Sequence, residues 1–178
     1  MQSHLSIDPG FINCGYVVAD VDETSQMGTI CESAKKEVVH VVTRDPADYY
    51  VAAQNFFASI MSRHPDIGFC IIENVYTPWA GAKGKTDAID FVFRLGLLVG
   101  ALYNQAASKF PTLMIPPSTV KRSLKIKGKP GAIVFAKSQF LDRSRADFII
   151  GSNDHVADCL NQLHYYLHTT HHVFYHYQ

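Results

Sequence analysis

Ser6-Ile7-Asp8-Pro9-Gly10, followed by Asn13-Cys14-Gly15-Tyr16-Val17-Val18, puts a carboxylate at the end of one strand and a few residues before the next. Leu5 and Ile7 read as strand, Pro9 and Gly10 stop it, and strand composition resumes at Tyr16 after Gly15. Asp8 is therefore exposed at a strand end. A carboxylate there holds a metal, caps a turn or binds nothing, and the choice depends on whether later elements bring other carboxylates to it.

The segments Leu5 to Asp8, Tyr16 to Asp20 and Val38 to Thr43 read as three neighbouring antiparallel strands, with Asp22 to Gly28 as a polar connection. Asp45-Pro46 opens a helix whose apolar positions Val51, Ala52, Phe56, Ile60 and Met61 recur at helical spacing up to Pro65. Phe69 to Glu73 is a continuous apolar run, as in a strand buried on both faces. A loop from Tyr76 to Lys85 follows, then a long helix capped by Thr86 and reaching about Lys109. Leu113 to Ile115 is a short strand stopped by Pro116-Pro117, and Ser118 caps a basic turn. Ala132 to Leu141 and Asp154 to Leu167 read as two final helices.

The chain of 178 residues, 47% apolar, suits one domain over 1–178 with a real core. Sixteen basic and sixteen acidic residues cancel, but not evenly along the chain. Lys121, Arg122, Lys125, Lys127, Lys129, Lys137, Arg143 and Arg145 are half of all Lys and Arg, and only Asp142 opposes them in that stretch. Cys14, Cys31, Cys70 and Cys159 form no CxxC pair and read as reduced core thiols. No signal segment opens the chain, and the longest apolar run, Phe91 to Tyr103, is broken by Arg94 and too short to cross a bilayer. The expectation is a soluble, intracellular, cytoplasmic protein with no membrane contact.

Glu73 ends its strand as Asp8 ends the first, and a charge so placed is costly unless the strand end meets water or a cation. If the two strands are parallel neighbours, both side chains emerge at one edge. The last helix offers Asp154, His155 and Asp158, with Asp158 three residues beyond His155 and four beyond Asp154. Two strand-end carboxylates, a helical carboxylate and one further ligand suit Mg²⁺ or Mn²⁺. A pair of such ions activates water and stabilises the leaving oxygen in phosphodiester cleavage. The plainer reading makes Asp8 a turn residue and Asp154 a helix N-cap.

Four motifs in order resemble the RuvC family of Holliday-junction resolvases, a branch of the ribonuclease H-like superfamily. They are IDPG-x4-GY at Ile7 to Tyr16, IIENVY at Ile71 to Tyr76, PPSTVKR at Pro116 to Arg122 and HVADCL at His155 to Leu160. The resemblance implies an α/β fold with a mixed five-stranded sheet flanked by helices on both sides. It implies that Asp8, Glu73 and Asp158 are catalytic metal ligands and that His155 fills the fourth position, with Asp154 beside it as the substitute. Two Mg²⁺ per site are implied, with Mn²⁺ able to replace them.

Lys121 matches a family lysine near the scissile phosphate, while a second family lysine falls on Ala132, leaving Lys129 or Lys137 to replace it. Tyr76 stands where relatives carry an aromatic that stacks on unpaired bases, and Trp79, with Lys83 and Lys85, is the alternative wedge. Lys121, Arg122, Lys125, Lys127, Lys129 and Lys137 are further candidate DNA contacts. Relatives act as homodimers through the long helix, for which Phe91, Leu95, Leu98 and Leu102 supply apolar surface.

The activity so implied is paired nicking of opposing strands in a four-way DNA junction, giving 5′-phosphate ends. The competing readings are a related nuclease of structured RNA or RNA-DNA hybrid, and a catalytically weak junction-binding protein. An ATPase of the sugar-kinase type shares the opening, but the chain is too short for its duplicated domain. The histidines His164, His168, His171, His172 and His176 lack the other marks of a metal site.

Overall fold

Alternation along the first strands decides the architecture. The computed structural model describes residues 2–22, 27–36, 38, 45–75, 86–170 and 174–177. Strand β1 (Gln2–Asp8) pairs antiparallel with β2 (Cys14–Asp22), which pairs antiparallel with β3 (Met27–Lys36). Leu5, Ile7, Tyr16 and Val18 point to one face, Val17, Ala19 and Val21 to the other, and both sets are buried. Each face therefore needs a helical cover, which later segments supply.

The third strand lies earlier than the expected Val38 to Thr43. Met27–Lys36 carries it, with β-branched Thr29 and Ile30 in register opposite Asp20 and Ala19 of β2. Val38 lies outside any strand, its amide donating to the Phe11 carbonyl at 2.8 Å, and 39–43 lie outside the described residues.

Helix α1 (Pro46–Met61) begins as expected: the Asp45 carboxylate accepts from the Ala47 amide and Pro46 occupies the first turn. Its buried residues Tyr49, Ala53, Phe56, Phe57 and Ile60 recur at helical spacing. They cover the Leu5 and Ile7 face together with Leu98, Ala101, Leu102 and Ala106 of α2 (Thr86–Ala107). Burying each large side chain of this kind is worth about 1.5–3 kcal/mol. Thr86 is the first residue of α2 rather than its cap.

Strand β4 (Ile67–Glu73) runs parallel to β1, pairing Ile7 with Ile72, and β5 (Thr112–Ile115) runs parallel to β4. Parallel pairing requires the crossover that α2 provides between β4 and β5. The other face is covered by α3 (Pro117–Ser123), α4 (Gly128–Ser138), α5 (Arg143–Ile150) and α6 (Asp154–Thr170). Pro116, not Ser118, occupies the cap of α3 and no side chain bonds there. Helix α5 was not foreseen; the Asp142 carboxylate caps it through the Ser144 amide. Asn153 caps α6, its side-chain oxygen accepting from Val156, so Asp154 is not the cap.

The expected five strands form one mixed sheet flanked by helices on both sides, and a short β6 (Phe174–Tyr177) adds a sixth strand parallel to β3. The order is β5-β4-β1-β2-β3-β6. Cys14, Cys70 and Cys159 are buried, Cys31 is half-buried, and all four are free thiols. Among the described residues, no helix is long and apolar enough to cross a membrane.

An ion-pair cluster ties β3 to the end of α1. Burial alone would raise the Glu32 carboxyl, but Arg63, Tyr16 and His64 all donate to it and hold it down at about 2. In the unfolded chain it ionises near 4.5, so the stabilisation is complete above that pH and is lost as pH falls towards 2. Screening at this half-exposed site limits it to about 1–2 kcal/mol. Glu32→Gln is expected to lower the unfolding free energy by that amount at pH 7, and denaturant melts should show the difference closing by pH 2–3.

Candidate active site

Asp8 and Glu73 each stand one position beyond the paired Ile7 and Ile72, on adjacent parallel strands. Their parity along the strands matches Val17 and Ile71, so both lie on the face covered by α6. Both are buried, Asp8 at 7% and Glu73 at 8% exposure. Asp158 and Gln162, four residues apart on α6, share the helix face that meets them.

Gly15 sets how closely α6 approaches. A Cβ at Gly15 would stand 2.7 Å from the backbone carbonyl of His155, so any side chain there drives the start of α6 away from the sheet. With glycine present, His155 Nδ1 lies 2.6 Å from Asp8 Oδ2. That bond holds the imidazole above its ordinary pKa, against the opposing effect of burial. Asp154 instead forms an ion pair with Lys129, whose hydrogen bond lowers its pKa, and its nearer approach to His155 Nε2 is 4.0 Å. His155, not Asp154, thus makes the direct contact with Asp8.

The three carboxyl groups oppose one another. Burial raises Asp8, with the His155 hydrogen bond working against it. Burial, then repulsion from Asp8 and Asp158, pushes Glu73 up to about 8, against the attraction of Lys121. Burial pushes Asp158 up to about 6, again against Lys121. Lys121, half-buried on α3, is therefore the lysine close enough to act on all three acids.

The donors suit a hard divalent cation: oxygen ligands, a concentration of acidic groups, and pKa values raised for want of a stronger positive charge. Among the described residues, however, no three His, Cys, Asp or Glu side chains are gathered closely enough to hold a metal ion. Asp8 is engaged by His155 and Glu73 by Gln162, whose Nε2 donates to Glu73 Oε2 at 3.3 Å.

Several expected contacts stand elsewhere. Lys129 pairs with Asp154 while its charge also acts on Asp158 and Asp8, whereas Lys137 pairs with Asp147. Arg122, in the last turn of α3, and Lys125 and Lys127, between α3 and α4, are exposed. Tyr76, Trp79, Lys83 and Lys85 lie outside the described residues. Leu98 and Leu102 are buried in the chain's own core and offer no surface, because their helical face is the one that α1 and the sheet cover. His164 is buried against Phe135 and stacked on His168, and burial lowers it to about 4; it is a packing residue. Gln162 was missed, although its i+4 relation to Asp158 marks it as a neighbour of the same site.

No protein-family model and no curated protein matches the sequence. Solved structures do match. Thermus thermophilus RuvC in complex with a Holliday junction substrate superposes with a TM-score of 0.61 at 14% identity, over 98% of this chain and 99% of that one. Fowlpox virus resolvase in complex with substrate junction DNA gives 0.57 at 18% identity, over 95% and 99%. The yeast mitochondrial Holliday junction resolvase gives 0.59 at 16% identity, over 90% and 75%. The fold is α/β and ribonuclease H-like. Within that class it is the fold of the RuvC-type resolvases, in agreement with the four motifs.

In the metal-free protein, Glu73 ionises near 8 when folded and near 4.5 when unfolded. Stability held below pH 4.5 is therefore lost as pH rises through 8. Glu73→Gln is expected to melt at a higher temperature than the wild type in a chelator, by a few degrees at pH 8. The gain should shrink towards zero at pH 4.5 in a calorimetric pH series.

Proposed function

We propose that the chain is a structure-selective DNA endonuclease that resolves four-way junctions by paired nicks on opposing strands. The observation that carries this reading is the convergence of Asp8, Glu73 and Asp158, with His155 and Lys121, at one sheet edge of a resolvase fold. The matched resolvases bound to junction DNA support the choice of substrate.

Hydrolysis adds water across the bond between phosphorus and the 3′ oxygen, leaving a 5′-phosphate and a 3′-hydroxyl. Asp8, Glu73, Asp158 and His155 would hold two Mg²⁺, or Mn²⁺ in their place. Bound there, the ions would supply an ionised water and stabilise the leaving oxygen. Holding them would require Asp8 and Glu73 to give up their hydrogen bonds with His155 and Gln162, and Glu73 the proton that its raised pKa favours. Lys121 adds positive charge where the phosphate must approach, and exposed Arg122, Lys125 and Lys127 hold backbone phosphates along the arm. The protein would act where DNA is replicated or recombined.

Two nicks require two sites, and we assign the second to a homodimer. Phe93, Gly96, Gly100 and Tyr103 lie on one stripe of α2; Phe93 and Tyr103 are exposed, and a Cβ at Gly100 would meet nothing within 4 Å among the described residues. The chain itself does not need glycine there, whereas a close-packed partner helix does. Gly100→Arg is expected to keep the melting temperature while light scattering shows a monomer. An unchanged dimer would rule out this face.

A synthetic mobile junction tests the activity. The wild type is expected to cut it symmetrically in Mg²⁺ or Mn²⁺ and to lose cutting in a chelator. Asp8→Asn should retain binding and lose at least a hundredfold in rate. Tight binding without cleavage in either metal would instead make this a junction-binding protein. Preference for RNA or hybrid substrates would move it to the related nucleases.

A further inference from the structure

We propose that the cleft between the β1–β2 turn and the start of α2 is a pocket for one unpaired nucleobase next to the scissile phosphate, and that it sets the sequence preference of cleavage. This inference rests on the nuclease reading above.

The cleft has a volume of about 410 Å³ and is lined by Pro9, Gly10, Phe11, Ile12, Asn13, Phe91, Arg94, Leu95 and His155. That volume falls within the range of small-ligand pockets, roughly 300–1,000 Å³. Phe11 is almost fully buried and meets Phe91 edge-on at 5.6 Å, while Phe91 remains 49% exposed. Phe91 therefore presents an anchored aromatic surface on which a base can stack.

The polar groups suit a base rather than a phosphate. Arg94 is neutralised by Asp90, Nε to Oδ2 at 2.9 Å, so it brings hydrogen-bonding capacity with little net charge. Asn13 is exposed on the rim and carries both a donor and an acceptor, which match the edge of a base. A neutral cleft with an aromatic wall and an amide on its rim is poorly suited to an anion.

Position ties the cleft to the chemistry. His155 lines it and also bonds Asp8, so an occupant lies one side chain away from the carboxylate edge. A nucleotide whose phosphate reaches Asp8 can place its own or its neighbour's base there. The cleft is also separate from the proposed dimer face, since Phe91 lies about 200° around α2 from Phe93. The turn is closely packed where it borders the pocket, since a Cβ at Gly10 would stand 2.6 Å from the Asn13 carbonyl.

The test uses the full chain on mobile four-way junctions, intact or carrying a single abasic residue at each position flanking the cut, with single-turnover rates. The wild type is expected to slow about tenfold when one particular flanking base is missing. Phe91→Ala should be about tenfold slower on the intact junction and no slower still on that abasic one, and Asn13→Ala should relax the base preference at the same position. Independent, multiplying losses, or no effect of any flanking base, would overturn the pocket while wild-type cleavage left the nuclease reading standing. If Phe91→Ala fails to fold, Asn13→Ala decides: an unchanged preference overturns the proposal and a relaxed one supports it. A wild type that cuts no junction would overturn the nuclease reading and this inference together.

Discussion

Two buried carboxyl groups at the ends of adjacent strands, Asp8 and Glu73, face the half-buried Asp158 of α6, and most of the surrounding structure answers to that fact. Burial and mutual repulsion raise Asp8, Glu73 and Asp158, and Lys121, the imidazole of His155 and, from further out, Lys129 oppose them with positive charge. A protein selected only for stability gains nothing from this arrangement, since an apolar edge of similar volume would cost less. The cost makes sense if the edge exists to receive positive charge from outside, so the electrostatic strain is itself an argument for function.

Helix α6 is the element that keeps this strain in place. Its core-facing residues Val156, Ala157, Cys159, Leu160, Leu163 and Leu167 anchor it to the sheet, and Asn161 Nδ2 ties it to α4 through the Ala132 carbonyl at 3.0 Å. Asn153 caps its start and Gly15 lets that start descend onto β2. With the helix fixed at these points, His155, Asp158 and Gln162 have little freedom over which atoms of Asp8 and Glu73 they meet. Apolar packing thus fixes the geometry, and the polar groups at the edge inherit it.

The strand-end positions of Asp8 and Glu73 were legible because strand alternation, Pro-Gly punctuation and the apolar run into Glu73 are local signals. Their adjacency followed once the strands were taken as parallel neighbours. Local signals failed where long-range pairing decides. Strand β3 falls on Met27–Lys36, where Glu32 and Ser33 break the apolar look of a strand yet find partners in β2 and, for Glu32, in Arg63 and His64 just past α1. The preference for His155 over Asp154 came from the family resemblance and not from local signals, since the contacts that separate the two are Lys129 pairing with Asp154 and Asn153 taking the cap. Leu98 and Leu102 belong to the core for a similar reason: helical periodicity locates an apolar face without saying whether the chain's own sheet or a second chain covers it.

The basic residues after β5 then divide by burial. Lys121 follows buried Val120 on α3 and is held inward, where its charge reaches all three acids. Lys129 and Lys137 are taken up by Asp154 and Asp147, and so hold α4 to its neighbours α6 and α5. Arg122, Lys125 and Lys127 stay exposed beside them. A chain with no net charge can therefore present acid at the reaction edge and base on the rim around it, and the boundary between them is the short helix α3. An approaching polyanion is attracted by the rim and repelled by the acidic edge. Under the proposed function, its closest approach to the carboxylates would depend on cations that neutralise them, so that DNA engagement at this edge and cation loading would be coupled.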